Sequence, residues 1–122
     1  MTRILTIGDS DAGISAALRA REIDPEVEVT VVVADQYPNF SICGLPFYFS
    51  GEVEDWKTLA HRTAADIENE GIQLLLNHTA TEIHPNQKRV KVVAANGGSK
   101  SLDYDRLLIG TGAVSVEPDI EG

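Results

Sequence analysis

Hydrophobic and polar positions divide the first third of the chain into a strand, a helix and a second strand. Aliphatic residues at Arg3–Ile7 predict the first strand, and the nearly continuous β-branched run at 28–33 predicts a second strand buried on both faces. After Gly13, apolar and small residues recur at helical spacing until Asp24 and Pro25 stop the pattern. This order is typical of a parallel βαβ unit.

The middle of the chain predicts one more helix and strand. Thr63 and Asp66 resemble a capped helix start, Gly71 ends that helix, and the apolar run at 72–76 reads as a strand.

The last third alternates polar and apolar residues with a period of two, separated by turns. This pattern predicts an antiparallel meander with strands at 80–84, 89–94 and 100–104. The apolar run Arg106–Ile109 then returns to the central sheet. We therefore expect an α/β, Rossmann-like dinucleotide-binding fold, with a central parallel sheet and a small antiparallel β-meander.

The polar turn after the first strand carries glycines at positions 8 and 13. Gly8 allows a tight turn, and Gly13 lets the helix lie close to the strand, so that backbone N–H groups and the helix N-terminus face one anionic group. The middle glycine of the usual fingerprint is Ser10, so an ordinary strand–turn–helix remains an alternative. The second strand runs into Asp35, which is either the ribose-binding acid of such folds or a loop carboxylate.

Residues 37–51 contain five aromatic residues and the single cysteine, Cys43. The sequence Gly44-Leu45-Pro46 after it predicts that Cys43 stands in the first turn of a short helix, where the helix dipole favours a thiolate. The alternative is a buried cysteine that acts as a small apolar side chain.

Composition narrows the classes of function. A chain of 122 residues with 43% hydrophobic residues predicts one folded domain, and a net charge of −9 disfavours nucleic acid and anionic membranes as partners. Neither a membrane-spanning run nor a leader is visible, which predicts a cytoplasmic protein. The three histidines have no metal-ligand spacing, so we expect no metal site.

Four segments, in this order, resemble the N-terminal part of flavoprotein pyridine nucleotide-disulfide oxidoreductases. They are most similar to the single-cysteine branch, which contains coenzyme A-disulfide reductases, NADH oxidases and peroxidases, and persulfide or polysulfide reductases. The four segments are the Gly8–Gly13 turn, the helix end at 19–25, residues 39–48 and residues 104–113.

The resemblance implies that NAD(P)H reduces FAD and that electrons pass to Cys43, which then reduces a small disulfide, persulfide or oxygen substrate. Tyr48 occupies the place of the second cysteine of the two-cysteine branch, so an internal redox disulfide is excluded. The residues implied in FAD binding are Gly8, Ser10, Asp11, Ala12, Gly13, Asp35, Asn39, Thr79, Ala80, Thr111 and Gly112. The residues implied in substrate binding are Ser15 and Arg19.

The sequence departs from the family pattern at several positions. Val33 stands where the family has its ribose-binding glutamate, and Asp11 stands where the peroxidases have a histidine. Glu22 and Ile42 replace a basic and a polar residue that contact coenzyme A in its disulfide reductases.

The resemblance makes residues 1–122 the N-terminal part of an FAD-binding domain, without the NAD(P)H and dimerisation domains of the homodimeric family enzymes. We expect no turnover from the chain alone, and the apolar surface of an incomplete domain favours self-association. Two other readings stay open: a non-catalytic nucleotide-binding or interaction module, and a first turn that binds NAD in place of FAD.

Overall fold

The computed structural model describes residues 1–121, which form two β-sheets and three α-helices. The strands are β1 Arg3–Ile7, β2 Glu28–Val32, β3 Ile72–Leu75, β4 His78–His84, β5 Arg89–Ala94, β6 Ser99–Asp103 and β7 Arg106–Ile109. The helices are α1 Asp11–Ile23, α2 Leu45–Phe49 and α3 Ala64–Asn69, with single 3-10 turns at Ile42–Gly44, Trp56–Leu59 and Pro85–Gln87.

Four strands form a parallel sheet in the order β3-β2-β1-β7. In the centre of the sheet, Leu5 lies opposite Thr30 on one side and Leu107 on the other. Because the strands are parallel, the turns that follow β1, β2 and β7 all leave the same edge of the sheet. Ligands of open α/β sheets bind at this carboxyl edge.

The parallel sheet is covered on both faces. On one face, Ile14 and Ala17 of α1 pack with Val29 and Val31 of β2 and with Ile67 of α3. On the other face, the antiparallel sheet β4-β5-β6 packs against the parallel sheet, with its core at Val90, Val92 and Tyr104. The predicted strands, including the return of Arg106–Ile109 to the central sheet, are confirmed.

Two local predictions about helix boundaries were wrong. Helix α1 begins at Asp11, two residues before Gly13, because Ser10 caps it: the Ser10 hydroxyl accepts a hydrogen bond from the Gly13 N–H at 3.4 Å. Cys43 does not stand in the first turn of α2. It lies in the 3-10 turn Ile42–Gly44 that precedes this helix.

Helix α3 was predicted correctly, because the residues that start and end it lie close together in the sequence. Thr63 and Asp66 form a reciprocal capping box at the start of α3, and Gly71 takes a φ of +79° just after its end. Arg21 of α1 ties this region together, because its guanidinium donates to the carbonyl oxygens of Glu70, Val27 and Pro25. Within residues 1–121, no helix has the length and apolar character needed to cross a membrane.

Candidate functional site

Three glycines at the carboxyl edge of the sheet bring the turn after β1, the start of α1 and the end of β7 together. Gly8 has a φ of +93°, and a Cβ on it would overlap the Gly110 carbonyl oxygen and lie 2.6 Å from Thr111 Cα. A Cβ on Gly13 would lie 2.7 Å from the Gly8 carbonyl oxygen, and one on Gly110 would lie 2.9 Å from Gly13 Cα. Side chains are therefore excluded from this contact.

Backbone hydrogen bonds hold the glycine turn between its neighbouring strands. The Gly8 N–H donates to the Val32 carbonyl at 2.8 Å, and the Gly110 N–H donates to the Ile7 carbonyl at 2.8 Å. The first helical amides, Asp11 and Ala12, have no carbonyl four residues back within α1. A fixed turn with such amides at a helix N-terminus is suited to bind an anionic group.

A cleft of about 400 Å³ opens above this turn. Four of the predicted cofactor residues line it: Ser10, Asp35, Thr111 and Gly112. The sequence predictions therefore converge at the point where β1, β2 and β7 end, although these residues are far apart in the chain. The remaining wall of the cleft is formed by Asp9, Tyr37, Phe40, Ile42, Trp56 and Ala113.

Asp35 lies in the loop after β2 and is held by the backbone around it. Its Oδ1 atom accepts from the Gln36 N–H at 2.6 Å and from the Tyr37 N–H at 3.4 Å. Its carbonyl oxygen accepts from the Asn77 N–H at 3.1 Å. Val33, at the position of the family's glutamate, is fully buried in the core and faces no ligand site. Asp35 is thus the carboxylate that the end of β2 contributes to the cleft.

An aromatic wall in the cleft was not predicted from the sequence. The Trp56 ring meets the Tyr37 ring edge to face, with centroids 5.1 Å apart, and lies 6.1 Å from the Phe40 ring. The aromatic density of residues 37–51 was the one signal that could have pointed to this wall.

Asn39 is almost completely buried and lies between the glycine turn and the start of α3. Its backbone N–H donates to Asp9 Oδ2 at 3.2 Å, and its side-chain amide donates to Asp11 Oδ1 at 3.0 Å. Arg62 donates to Asn39 Oδ1 at 3.4 Å. Asp11 and Asn39, both predicted cofactor residues, therefore contact each other.

Cys43 is exposed, which contradicts the alternative of a buried apolar cysteine. Its neighbour Ile42 is 66% exposed and lines the cleft, so the thiol-bearing turn lies at the cleft's rim. The exposed ring of Phe47 follows in α2, so apolar surface surrounds this turn.

The other predicted residues lie outside this cleft. Ala80 lines a neighbouring depression of about 380 Å³, to which Thr111 of the cleft also contributes, whereas Thr79 is paired with Val93 across β4 and β5 and is exposed. Ser15 and Arg19 lie on the exposed face of α1, and Arg19 is paired with Glu22 at 2.7 Å. In residues 1–121, no three His, Cys, Asp or Glu side chains are grouped as metal ligands.

Comparisons with known proteins agree with this geometry. Residues 2–122 match the family described as pyridine nucleotide-disulphide oxidoreductase. The chain is 33% identical over 120 residues to the NAD(P)H coenzyme A polysulfide/persulfide reductase of Pyrococcus horikoshii, covering 98% of this chain and 26% of that protein. It is 28% identical to the coenzyme A disulfide reductase of Staphylococcus haemolyticus, covering 93% of this chain and 26% of that protein.

The fold of the chain also matches solved structures of oxidoreductases. The NAD-dependent persulfide reductase from A. fulgidus has a TM-score of 0.90 and 39% identity, with coverage of 98% of this chain and 22% of that chain. The water-forming NADH oxidase from Lactobacillus brevis has a TM-score of 0.90 and 28% identity, with coverage of 100% and 27%.

A parallel sheet with a glycine turn under a cleft at its carboxyl edge defines a Rossmann-like, dinucleotide-binding protein. The chain belongs to the pyridine nucleotide-disulphide oxidoreductase family. This family is FAD-dependent and takes electrons from NAD(P)H. The chain spans about a quarter of the length of the curated relatives it matches.

Proposed function

We propose that residues 1–122 form the N-terminal part of the FAD-binding domain of an NAD(P)H-dependent oxidoreductase, with Cys43 as its redox residue. The substrate is a small disulfide, a persulfide or oxygen, and a sulfur substrate is supported by the names of the relatives. The observation that carries the proposal is the meeting of the β1, β2 and β7 ends in one cleft with an exposed cysteine at its rim.

The residues of the cleft fit the parts of FAD. The amides of Asp11 and Ala12 and the side-chain-free surface of Gly8 and Gly13 suit a pyrophosphate, which needs close approach of the backbone. Asp35 suits the ribose hydroxyls, since only its Oδ1 atom is engaged by the loop.

Further contacts are proposed on both sides of the pyrophosphate. Thr111 and Gly112 give a second contact where the chain leaves β7, and Ala80 and Thr79 approach the adenine from β4. Asn39 belongs to this site through its bonds to the glycine turn.

Cys43 is the residue that passes electrons from FAD to the substrate. FAD, when bound, supplies the two electrons that NAD(P)H delivers. The Cys43 thiolate attacks one sulfur of a disulfide substrate, forms a mixed disulfide and releases the other sulfur as a thiolate. Two electrons and one proton then return Cys43 to a thiolate and release the second thiol. The exposure of Cys43 supports this role, because substrate sulfur must reach it.

Substrate recognition is proposed for the outer face of α1, at Ser15 and Arg19. Arg19 is already paired with Glu22, so its charge is offset before any phosphate arrives. This pairing favours a small sulfur compound over coenzyme A as the species that Cys43 meets.

The remaining features of the proposal concern the setting of the whole enzyme. We propose a cytoplasmic homodimer with no nucleic-acid or membrane partner, in keeping with a net charge of −9 and a single reduced cysteine. The chain alone is expected to give no turnover, and it is expected to self-associate through exposed apolar residues such as Ile109 and Phe49.

The first test measures the reactivity of Cys43 in the 122-residue chain. The rate of alkylation by iodoacetamide at neutral pH is compared between the folded chain and the same chain unfolded in urea, and Cys43→Ser gives the blank. We expect the folded chain to be alkylated about as fast as the unfolded chain, because the Cys43 thiol is exposed at the rim of the cleft and a substrate can reach it. A folded chain that is alkylated at least tenfold more slowly would contradict the redox role, because substrate sulfur could not reach Cys43, and would favour the alternative of a non-catalytic nucleotide-binding module.

The second test measures the affinity for FAD. Asp35→Asn keeps an oxygen for the loop amides but replaces the free carboxylate oxygen by an amide nitrogen. We expect roughly tenfold weaker binding, the loss typical of one hydrogen bond to a charged group. Glu26→Gln, an exposed carboxylate after α1, is the control and should bind FAD like the wild type. Equal affinity in both variants would remove Asp35 from the ribose site.

A further inference from the structure

Asn39 combines burial, an unusual backbone conformation and hydrogen bonds at both polar atoms of its side chain. Its side chain is 3% exposed, and its φ is +54°, a left-handed value that asparagine tolerates better than most residues. Its carbonyl oxygen also accepts from the His61 N–H at 3.0 Å.

The chemistry of its partners fixes the orientation of the Asn39 amide. A carboxylate only accepts hydrogen bonds, so the nitrogen must face Asp11. A guanidinium only donates, so the oxygen must face Arg62. A side chain with a donor and an acceptor on one short stem is therefore required, and asparagine supplies both. Aspartate would lose the donor and bring a third carboxylate to Asp9 and Asp11.

Phe40 and Ser41, which follow Asn39, pair with the segment that precedes α3. Phe40 forms a β-bridge with Ala60, and the Ser41 N–H donates to the Leu59 carbonyl at 2.9 Å. The Gly44 N–H then donates to the Ser41 carbonyl at 3.2 Å, which closes the turn that holds Cys43. The path from the glycine turn to the thiol is thus a short, hydrogen-bonded one that begins at Asn39.

We propose that Asn39 is a positioning residue that clamps the Cys43 segment onto the glycine turn. It acts through Asp9 and Asp11 on one side and through Arg62 on the other. Its polar atoms are used by protein groups, so its part in the cofactor site is to set where Cys43 stands relative to the cleft. The importance of the position of Cys43 for redox chemistry rests on the proposed function. The hydrogen bonds of the clamp do not depend on that function.

The chain offers a matched pair of variants. Asn39→Gly keeps the left-handed backbone accessible and removes both side-chain hydrogen bonds. Asn77→Gly is the control, because Asn77 has a nearly equal φ of +57° in an exposed loop. Asn39→Asp is the second test variant, since it keeps the shape, removes the donor and adds a negative charge beside Asp9 and Asp11.

Hydrogen exchange of the 122-residue chain, read by mass spectrometry, tests the clamp without any cofactor. For Asn39→Gly and Asn39→Asp, we expect about tenfold faster exchange in residues 8–12 and 40–47, with unchanged exchange in β2 and β5. Asn77→Gly should leave residues 40–47 unchanged. Unchanged exchange of residues 40–47 in Asn39→Gly would overturn the proposal, as would an equal acceleration in β2 and β5, which would mean global destabilisation.

A spectroscopic readout tests the positioning of Cys43. In the wild type with FAD added, the reduced Cys43 thiol beside the oxidised flavin is expected to give a long-wavelength absorbance, and Asn39→Gly should lose at least half of that absorbance per bound flavin. Full absorbance in Asn39→Gly would overturn the positioning of Cys43. If the wild type binds no FAD, the proposed cofactor site fails, and the exchange measurement still decides whether the clamp exists.

Discussion

Replacing Gly8 with alanine tests the close backbone contact beneath the cleft. Gly8 has a φ of +93°, and an added Cβ would lie 2.6 Å from Thr111 Cα and 2.7 Å from the Gly110 carbonyl carbon. These are backbone atoms, so no side-chain rotation can relieve the overlap. The turn after β1 and the end of β7 would have to separate.

The expected loss of stability has two parts. A left-handed backbone costs an L residue about 1–2 kcal/mol. Forcing extra volume into a packed contact costs about 1–3 kcal/mol. Gly8→Ala should therefore destabilise the chain by about 2–5 kcal/mol, a large share of the ~5–15 kcal/mol typical of a domain.

Gly97→Ala separates these two parts. Gly97 has a φ of +92°, but an added Cβ would meet nothing within 4 Å. This control should lose only the backbone part, so the difference between the two variants should be about 1–3 kcal/mol.

Urea unfolding followed by far-UV circular dichroism measures both variants against the wild type. An equal dependence on urea concentration would show that the variants differ in stability and not in the extent of unfolding. If Gly8→Ala loses no more stability than Gly97→Ala, the close contact of Gly8 with Gly110 and Thr111 is refuted. The structure of the cleft beneath the proposed pyrophosphate would then be wrong.

Three further predictions follow from single side chains. Arg21→Ala should lower stability to urea by about 1–3 kcal/mol, because the carbonyl oxygens of Glu70 and Val27 lose their donor, and an unchanged midpoint would contradict this. Hydrogen bonds from the Arg3 backbone and side chain lower the pKa of Asp105, so its carboxylate stabilises the fold above its ordinary pKa and less as pH falls through the folded-state pKa. The stability gap between wild type and Asp105→Asn should therefore shrink below about pH 4, and a constant gap would refute the linkage. Asp9→Asn should raise FAD affinity about threefold to tenfold at low salt, because it removes a negative charge from the cleft wall, and the gain should shrink at high salt. Equal or weaker FAD binding by this variant would contradict a pyrophosphate near Asp9.

The regular elements were predictable because their signals are local. The β-branched run at the second strand, the turn glycines and the Thr63–Asp66 capping pair each act on neighbouring residues, and the structure has each element within a residue or two. The start of α1 was missed because the glycine pattern places the helix after Gly13, whereas the Ser10 hydroxyl caps a helix that begins at Asp11.

The cleft was only partly predictable. Ser10, Asp35, Thr111 and Gly112 were predicted for one cofactor and do line one cleft, because parallel strands deliver their carboxyl ends to one edge. The sequence predicted a tight turn at Gly8 but not its contact with Gly110, because about 100 residues of chain separate these two glycines.

The contacts of Asn39 could not be read from the sequence. Asp9 and Asp11 precede Asn39 by about thirty residues, and Arg62 follows it by more than twenty. No periodicity or turn signal links residues at such separations. The 3-10 turn at Cys43 was missed for a related reason, because its position depends on the backbone bond from Ser41 to Leu59.

The most direct test of the account is the visible absorption spectrum of the purified chain after FAD addition and gel filtration, compared with Cys43→Ser. We predict that both proteins retain flavin absorbance, because none of the proposed contacts to FAD uses the thiol. With the thiol reduced and the flavin oxidised, only the wild type should show the long-wavelength absorbance of a thiolate beside the flavin. A wild-type chain that elutes without flavin, or a Cys43→Ser variant with the same long-wavelength absorbance, would contradict a flavin site with Cys43 at its rim.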